Sequence, residues 1–261
     1  MTNAAQNPDH ARPKISIRNL AKRFGARQIL RDVTIDVPAG HSLVVIGGSG
    51  VGKSVLLKSI LGIVTPDAGS IAIDGTDILT ANTHTRQRLT QQIGMLFQGA
   101  ALFDSLTVWE NIAFRLIYGE GQSRAAARAR AEECLTLVGL EASVADQVPS
   151  ELSGGMQKRA GLARAIAGKP DILFFDEPTT GLDPIKSDVI NTLISSQVKA
   201  LGATAISITH DMASAMKIAD EIAMLHNGSL VWRGTPSEIS NSGNPYVDQF
   251  INGRAEGPIG D

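Results

Sequence analysis

The spacing of apolar and polar positions divides the chain into three stretches. Over the first third, short β-rich runs alternate with tight turns: Ile15–Leu20, Val33–Val37, Leu43–Ile46 and Ser70–Ile73, punctuated by Pro38-Ala39-Gly40 and Asp74-Gly75. A helix is predicted to open at the glycine-rich turn Gly47–Gly52 and to run to about Ile63, with Pro66 beyond it as a stop. From Thr107 to about Gly168 apolar residues recur at helical spacing, which predicts helices over Trp109–Tyr118, Ser123–Val138 and Gly154–Ala167. Strands and helices then alternate, with Asp171–Phe175, Ala203–Ile208 and Glu221–Leu225 as strands and Pro184–Ala200 and Asp211–Ile218 as helices. Short, wholly apolar strands between helices imply a mainly parallel sheet covered on both faces. The prediction is therefore an α/β fold, with an N-terminal antiparallel β subdomain, a mainly parallel core sheet and a helical subdomain inserted near residues 100–168. Residues 1–14 read as a loose, flexible lead-in, residues 15–250 as one domain and residues 251–261 as a C-terminal tail.

Composition narrows the function classes. The 261 residues are 43% hydrophobic and 19% charged with a formal net charge of −2, an ordinary globular balance without the basic excess of a nucleic-acid binder. Cys134 is the only cysteine, which excludes a disulfide framework or a cysteine metal cluster and reads as a structural thiol. The polar lead-in, with Pro8 and Pro13, lacks the apolar stretch of a signal peptide. No run reaches the 18 or so apolar residues of a membrane helix, so any membrane task is expected to go through a partner from the cytosolic side.

Two segments carry the chemistry. Gly47-Gly48-Ser49-Gly50-Val51-Gly52-Lys53-Ser54 fits the phosphate-loop pattern between an apolar strand and a helix. Its glycines let backbone N–H groups converge on phosphate oxygens, and the helix N-terminus adds its dipole. Lys53 should reach the β- and γ-phosphates of ATP, and the Ser54 hydroxyl should ligate Mg²⁺. Far downstream, Ile172-Leu173-Phe174-Phe175 is a buried strand ending in Asp176 and Glu177. Asp176 is placed to hold Mg²⁺, and Glu177 to polarise the attacking water.

The chain then resembles the ABC ATPases, from about Ile15 to Phe250. Leu152-Ser153-Gly154-Gly155-Met156 is similar to their signature motif, with Met156 where many members have glutamine. Ser153, Gly154 and Gly155 open a second anion-binding helix, which in the family closes on ATP held by a second copy of the chain. Gln98 resembles the Q-loop glutamine that senses Mg²⁺ and the transport partner. Pro178-Thr179-Thr180-Gly181-Leu182-Asp183 matches the D-loop, with Asp183 reaching across the dimer. His210 matches the switch histidine at the γ-phosphate, and Phe24 the aromatic that stacks on adenine.

Length excludes several branches of that family. The span from Lys53 to Asp176 has no room for a long coiled coil, one cysteine cannot build zinc clusters, and there is one ATPase domain rather than two. A transporter subunit remains. The stretch from Leu96 to Val108 with Glu110-Asn111, and the tail Gln249–Gly253 with Gly257-Pro258-Ile259, resemble the ATPases partnered with MCE-domain proteins. That group includes the ATPase of the maintenance-of-lipid-asymmetry (Mla) phospholipid system of Gram-negative bacteria. The resemblance implies an integral membrane permease, a periplasmic MCE-domain protein and often a small STAS-domain subunit as partners, at the cytoplasmic face of the inner membrane. The apolar residues Ala100–Phe103, Leu106, Val108 and Trp109 serve equally well as a permease docking surface or as helical-subdomain core. The rival readings are the ATPase of a small-solute importer and a regulatory ABC protein that binds ATP without using it.

Overall fold

The structure, a computed structural model, describes residues 12–260; residues 1–11 of the expected lead-in and residue 261 of the tail lie outside them. β1 (Ile15–Phe24), β2 (Arg27–Val37), β4 (Ala68–Ile73) and the short β5 (Thr76–Asp77) form an antiparallel sheet in the order β2-β1-β4-β5. β3 (Ser42–Ile46), β6 (Ile93–Leu96), β7 (Ile172–Asp176), β8 (Thr204–Ile208), β9 (Glu221–His226) and β10 (Ser229–Gly234) form the second, in the order β10-β9-β3-β8-β7-β6. All its neighbours are parallel except the β9–β10 hairpin.

The continuous apolar runs of the central strands follow from burial on both faces. Leu43 and Val45 of β3, with Ile172 and Phe174 of β7, join a core shared with Leu56, Leu57 and Ile60 of α1 (Lys53–Ile60). That core also takes in Ile15, Ile17 and Leu30 from the antiparallel sheet. The alternate residues Val44, Ile46, Leu173 and Phe175 belong to a second core. It is built with α3 (Val108–Tyr118), α4 (Arg124–Leu137), α5 (Gly154–Ile166), α6 (Pro184–Leu201) and α7 (Met212–Ile218). Side-chain oxygens of Ser123, Ser153, Asp183 and Asp211 accept backbone N–H bonds at the starts of α4 to α7. Such caps contribute about 1 kcal/mol each. Cys134 is buried in the second core, and desolvation pushes its thiol up to about 11, as befits a packing residue.

Four elements carry too weak a pattern to be predicted. α2 (Thr83–Thr90) is polar along nearly its whole length and buries only Leu89, so no helical period shows. β5 is two residues long, and β10 is a half-buried edge strand. α8 (Pro245–Asn252) crosses the expected domain–tail border between residues 250 and 251 and ends on Gly253 in the left-handed conformation. Beyond it the chain folds back on α8. The Gln249 amide donates to the carbonyls of Arg254 and Ile259 and accepts from the Ile259 N–H. β1 and β2 extend past their expected ends because pairing continues to Phe24 opposite Arg27.

Candidate active site

The loop between β3 and α1 is shaped by glycines that no other residue could replace. Gly47 has φ 149°, and a Cβ there would stand 2.3 Å from the Leu225 carbonyl oxygen. Gly52 has φ 112°, and a Cβ would stand 2.8 Å from the Ile29 carbonyl oxygen. Lys53 opens α1 and turns back into this loop, where its ammonium donates to the carbonyls of Gly47 at 2.7 Å and Gly48 at 2.8 Å. Burial lowers its pKa, and the charges of Glu177 and Asp176 pull it back up. A buried cation thus sits at the start of a helix, an arrangement that favours an anion.

Asp176, Glu177, His210 and Gln98 lie at or just beyond the carboxyl ends of β7, β8 and β6, which stand next to one another in the sheet. Parallel sheets bind their ligands at this end. Asp176 is half-buried, and its Oδ1 is buried with no hydrogen-bond partner. Burial first, then the Glu177 charge, raise its pKa, against the opposing pull of Lys58, Lys53 and the Ser54 hydroxyl. Glu177 has φ 49°, a conformation that costs a non-glycine residue about 1–3 kcal/mol. Its backbone N–H donates to the Ile208 carbonyl at 2.9 Å. Its Oε2 lies 2.8 Å from His210 Nδ1 and accepts from the Thr180 hydroxyl at 3.1 Å. Strain held by three partners marks a carboxylate whose direction matters.

Glu177, His210 and Gln98 face one cavity of about 550 Å³, lined also by Gly48, Ser49, Gly50, Lys53, Ser54 and Phe250, while Asp176 lies outside its lining. A neighbouring cavity of about 210 Å³ shares Gly50, Lys53 and Ser54 and is closed by Phe24, Arg27, Ile29, Gly52 and Val55. The Phe24 ring is 52% exposed, so it stands at a wall and not in the core. Ser153, Gly154, Gly155 and Asp183 line neither cavity. Ser153 caps α5, and Asp183 caps α6 and pairs with Lys186 at 2.9 Å.

Three residues of this neighbourhood escaped the sequence reading as site members. Thr180 looked like a plain member of the D-loop string, and Phe250 like a tail residue. Lys158 had a visible signal, since it shares the helical spacing of the buried Gly161, Leu162 and Ala165 yet carries a charge. The stretch expected to be either docking surface or core divides into buried and exposed positions. Ala100, Val108 and Trp109 are buried, whereas Phe103 is exposed and stacks on Phe114 at 4.8 Å, which meets Tyr118 at 4.9 Å.

Ser54, Gln98 and Asp176 offer hard oxygen donors, and a buried Asp176 Oδ1 with no hydrogen-bond partner suits a cation ligand. Among the described residues there is no cluster of three or more His, Cys, Asp or Glu that could hold a metal. Such a sparse donor set fits Mg²⁺, which keeps waters and substrate phosphates as ligands. The raised Asp176 pKa has a stability consequence. The native state binds its proton more tightly than the unfolded chain does, so stability falls as pH rises through that pKa. At pH 7 the ionised carboxylate is therefore a cost, and Asp176→Asn is expected to raise the Tm of the nucleotide-free chain by about 2 °C or more in a thermal melt.

A glycine-rich phosphate loop and a strand-end Asp-Glu pair, on a sheet flanked by an antiparallel sheet and a helical layer, define a nucleotide-hydrolysing cassette. Residues 30–180 match the ABC transporter family model, and the chain belongs to that family as an ATP-hydrolysing, ATP-binding subunit of a transporter. It is 42% identical to a probable ribonucleotide transport ATP-binding protein of Mycobacterium leprae, covering 94% of this chain and 71% of that protein. It is 36% identical to the intermembrane phospholipid transport ATP-binding protein MlaF of Escherichia coli, covering 94% and 91%. Its fold matches a dimeric ATP-binding cassette in a post-hydrolysis state bound to ADP and Pi, with TM-score 0.78, 30% identity and coverage of 85% of this chain and 98% of that one. Among the described residues no helix is long and apolar enough to cross a membrane.

Proposed function

We propose that this subunit couples ATP hydrolysis to phospholipid movement across the bacterial envelope. It would work at the cytoplasmic face of the inner membrane, beneath an integral permease and with a periplasmic MCE-domain protein; a small STAS-domain subunit completes the proposed assembly. The observation that carries the chemistry is the Glu177 carboxylate, held by His210 and Thr180 at a cavity whose far wall is the phosphate loop. The cargo rests on the near end-to-end match with MlaF, together with the segment after Gln98 and the C-terminal tail.

In this reading the loop residues Gly47, Gly48, Ser49, Gly50, Val51 and Gly52 give backbone donors to the phosphates of ATP. Lys53 exchanges its two loop carbonyls for β- and γ-phosphate oxygens. Phe24 stacks on adenine. Ser54, Gln98 and Asp176 would hold Mg²⁺, which supplies charge neutralisation at the phosphates. Glu177 orients and polarises the water that attacks the γ-phosphorus. His210 holds Glu177 and contacts the γ-phosphate. Ser153, Gly154, Gly155 and Asp183, away from their own chain's cavity, act on ATP bound to a second copy in a head-to-tail dimer. The domain runs over residues 15–250 with its helical subdomain at about 100–168.

The Mycobacterium leprae relative supports a second reading, a transporter of ribonucleotides or other small solutes. Purification of the subunit with its membrane partners, followed by lipid mass spectrometry and ATPase assays in proteoliposomes, separates the two. Phospholipid retained by the complex and turnover above that of the isolated subunit are the expected results. A complex that holds no lipid and is stimulated by a soluble solute would reverse the choice.

A further inference from the structure

One helix, α5, begins at Ser153 and grips the segment after β6 with its side. The Lys158 ammonium donates to the backbone carbonyl of Gln98. Three residues on, Gly161 admits the segment closely: a Cβ there would stand 2.8 Å from Leu96 Cδ1 and 3.1 Å from Ala100 Cβ. Three further on, Arg164 donates from Nη1 to the Ala101 carbonyl and from Nη2 to the Ala100 carbonyl, both at 2.6 Å. Ala100 and Ala101 have φ 60° and 50°, two successive left-handed residues that the guanidinium holds in place. The three-residue spacing puts Lys158, Gly161 and Arg164 along one side of a rigid rod.

Lys158 is the costly member. It is 6% exposed, and burying an ammonium is unfavourable unless it is paired. Its hydrogen bond goes to a neutral carbonyl, and among the described residues the charges of Glu177 and Asp176 offset its burial. A fold needing only a tight seam would place an apolar residue on this stripe. Arg164 shows the same economy of partners, since burial alone lowers its pKa and its guanidinium serves backbone carbonyls.

We infer that Lys158 is a positioning residue for ATP hydrolysis: it fixes the Gln98 backbone at the mouth of the phosphate cavity and ties that placement to α5. This rests on the reading of Gln98 as a member of the ATP site. A helix that carries Ser153 at its start and holds Gln98 by its flank moves both together, so a shift at one is felt at the other.

The test is a double-mutant cycle of Lys158→Met, which keeps the stem and removes the charge, with Gln98→Ala, read in the full-length protein with MgATP. K158M is expected to keep its Tm within about 3 °C and its KM for ATP within about threefold, while kcat falls about tenfold. A merely structural lysine would instead lower Tm and leave kcat per folded molecule unchanged, which overturns the inference. In the Q98A background K158M should lower kcat by less than about twofold more, because both changes remove one placement. Multiplicative losses would also overturn it. Wild-type turnover by Q98A beside a slow K158M would show that the reading of Gln98 itself had failed. Should K158M not fold, Lys158→Gln, too short to reach the carbonyl, takes its place in the same cycle.

Discussion

Glu177→Gln is expected to lower ATP turnover by about two to four orders of magnitude while ATP affinity stays within about threefold of wild type. The amide matches the carboxylate in size and can still accept from the Thr180 hydroxyl, so the left-handed backbone at this position and its bond to Ile208 are undisturbed. In the proposed role of Glu177, what disappears is the negative charge directed at the attacking water, and an amide cannot accept that water's proton. The phosphate loop, with Lys53 and its glycines, is unchanged, and binding rests on it. Because hydrolysis is what would reopen an ATP-closed pair of chains, the variant should also accumulate as a dimer in MgATP, seen by light scattering. Single-turnover phosphate release checks the first half. Release at the wild-type rate would remove Glu177 from the chemistry and leave His210 as the remaining general-base candidate on that side of the cavity.

The parts legible in the sequence are those where one local pattern decides the structure. The phosphate loop could be read because Gly47 and Gly52 occupy backbone conformations that admit little else, and because a strand and a helix flank them. β3 and β7 could be read because burial on both faces leaves four-residue apolar runs, Leu43–Ile46 and Ile172–Phe175. The expected starts at Gly154, Pro184 and Asp211 fall within a residue of those of α5, α6 and α7, each of which the structure caps with a side chain. What stayed hidden depends on contacts between distant segments. Thr180 matters through a hydroxyl aimed at Glu177 three residues back, and Phe250 through the return of α8 to the phosphate loop. The Ala100-Ala101 turn has no turn residue in it, since its left-handed backbone is imposed by Arg164 from another element. α2 lacked a period because it packs through one leucine. The placement of Ser153–Gly155 away from their own chain's cavity was implied by the family resemblance alone, since no spacing along the chain encodes it.

Lys53→Met is expected to remove most of the nucleotide-dependent stabilisation with little effect on the empty chain. Two contributions oppose each other in the empty state. The ammonium satisfies the Gly47 and Gly48 carbonyls, and its loss leaves those oxygens without that donor. Against that, burial depresses the Lys53 pKa, so the folded chain binds this proton less tightly than the unfolded chain, and holding it costs stability below the native pKa. Methionine keeps the apolar stem and removes that cost, so the two largely cancel, to within about 1 kcal/mol. With ATP the balance is one-sided. The wild-type ammonium gives up two neutral carbonyls for phosphate oxygens bearing full charge, and charge-assisted bonds are roughly twice as strong. At a ligand concentration 100-fold above Kd, binding stabilises the wild type by about 2.7 kcal/mol. A variant whose affinity has fallen by about a hundredfold gains only about 0.4 kcal/mol under the same conditions. Thermal melts with and without MgATP resolve that difference, a shift of several degrees for the wild type and about one degree for the variant. An equal shift in both would place Lys53 outside the nucleotide contact and make it a brace of its own loop.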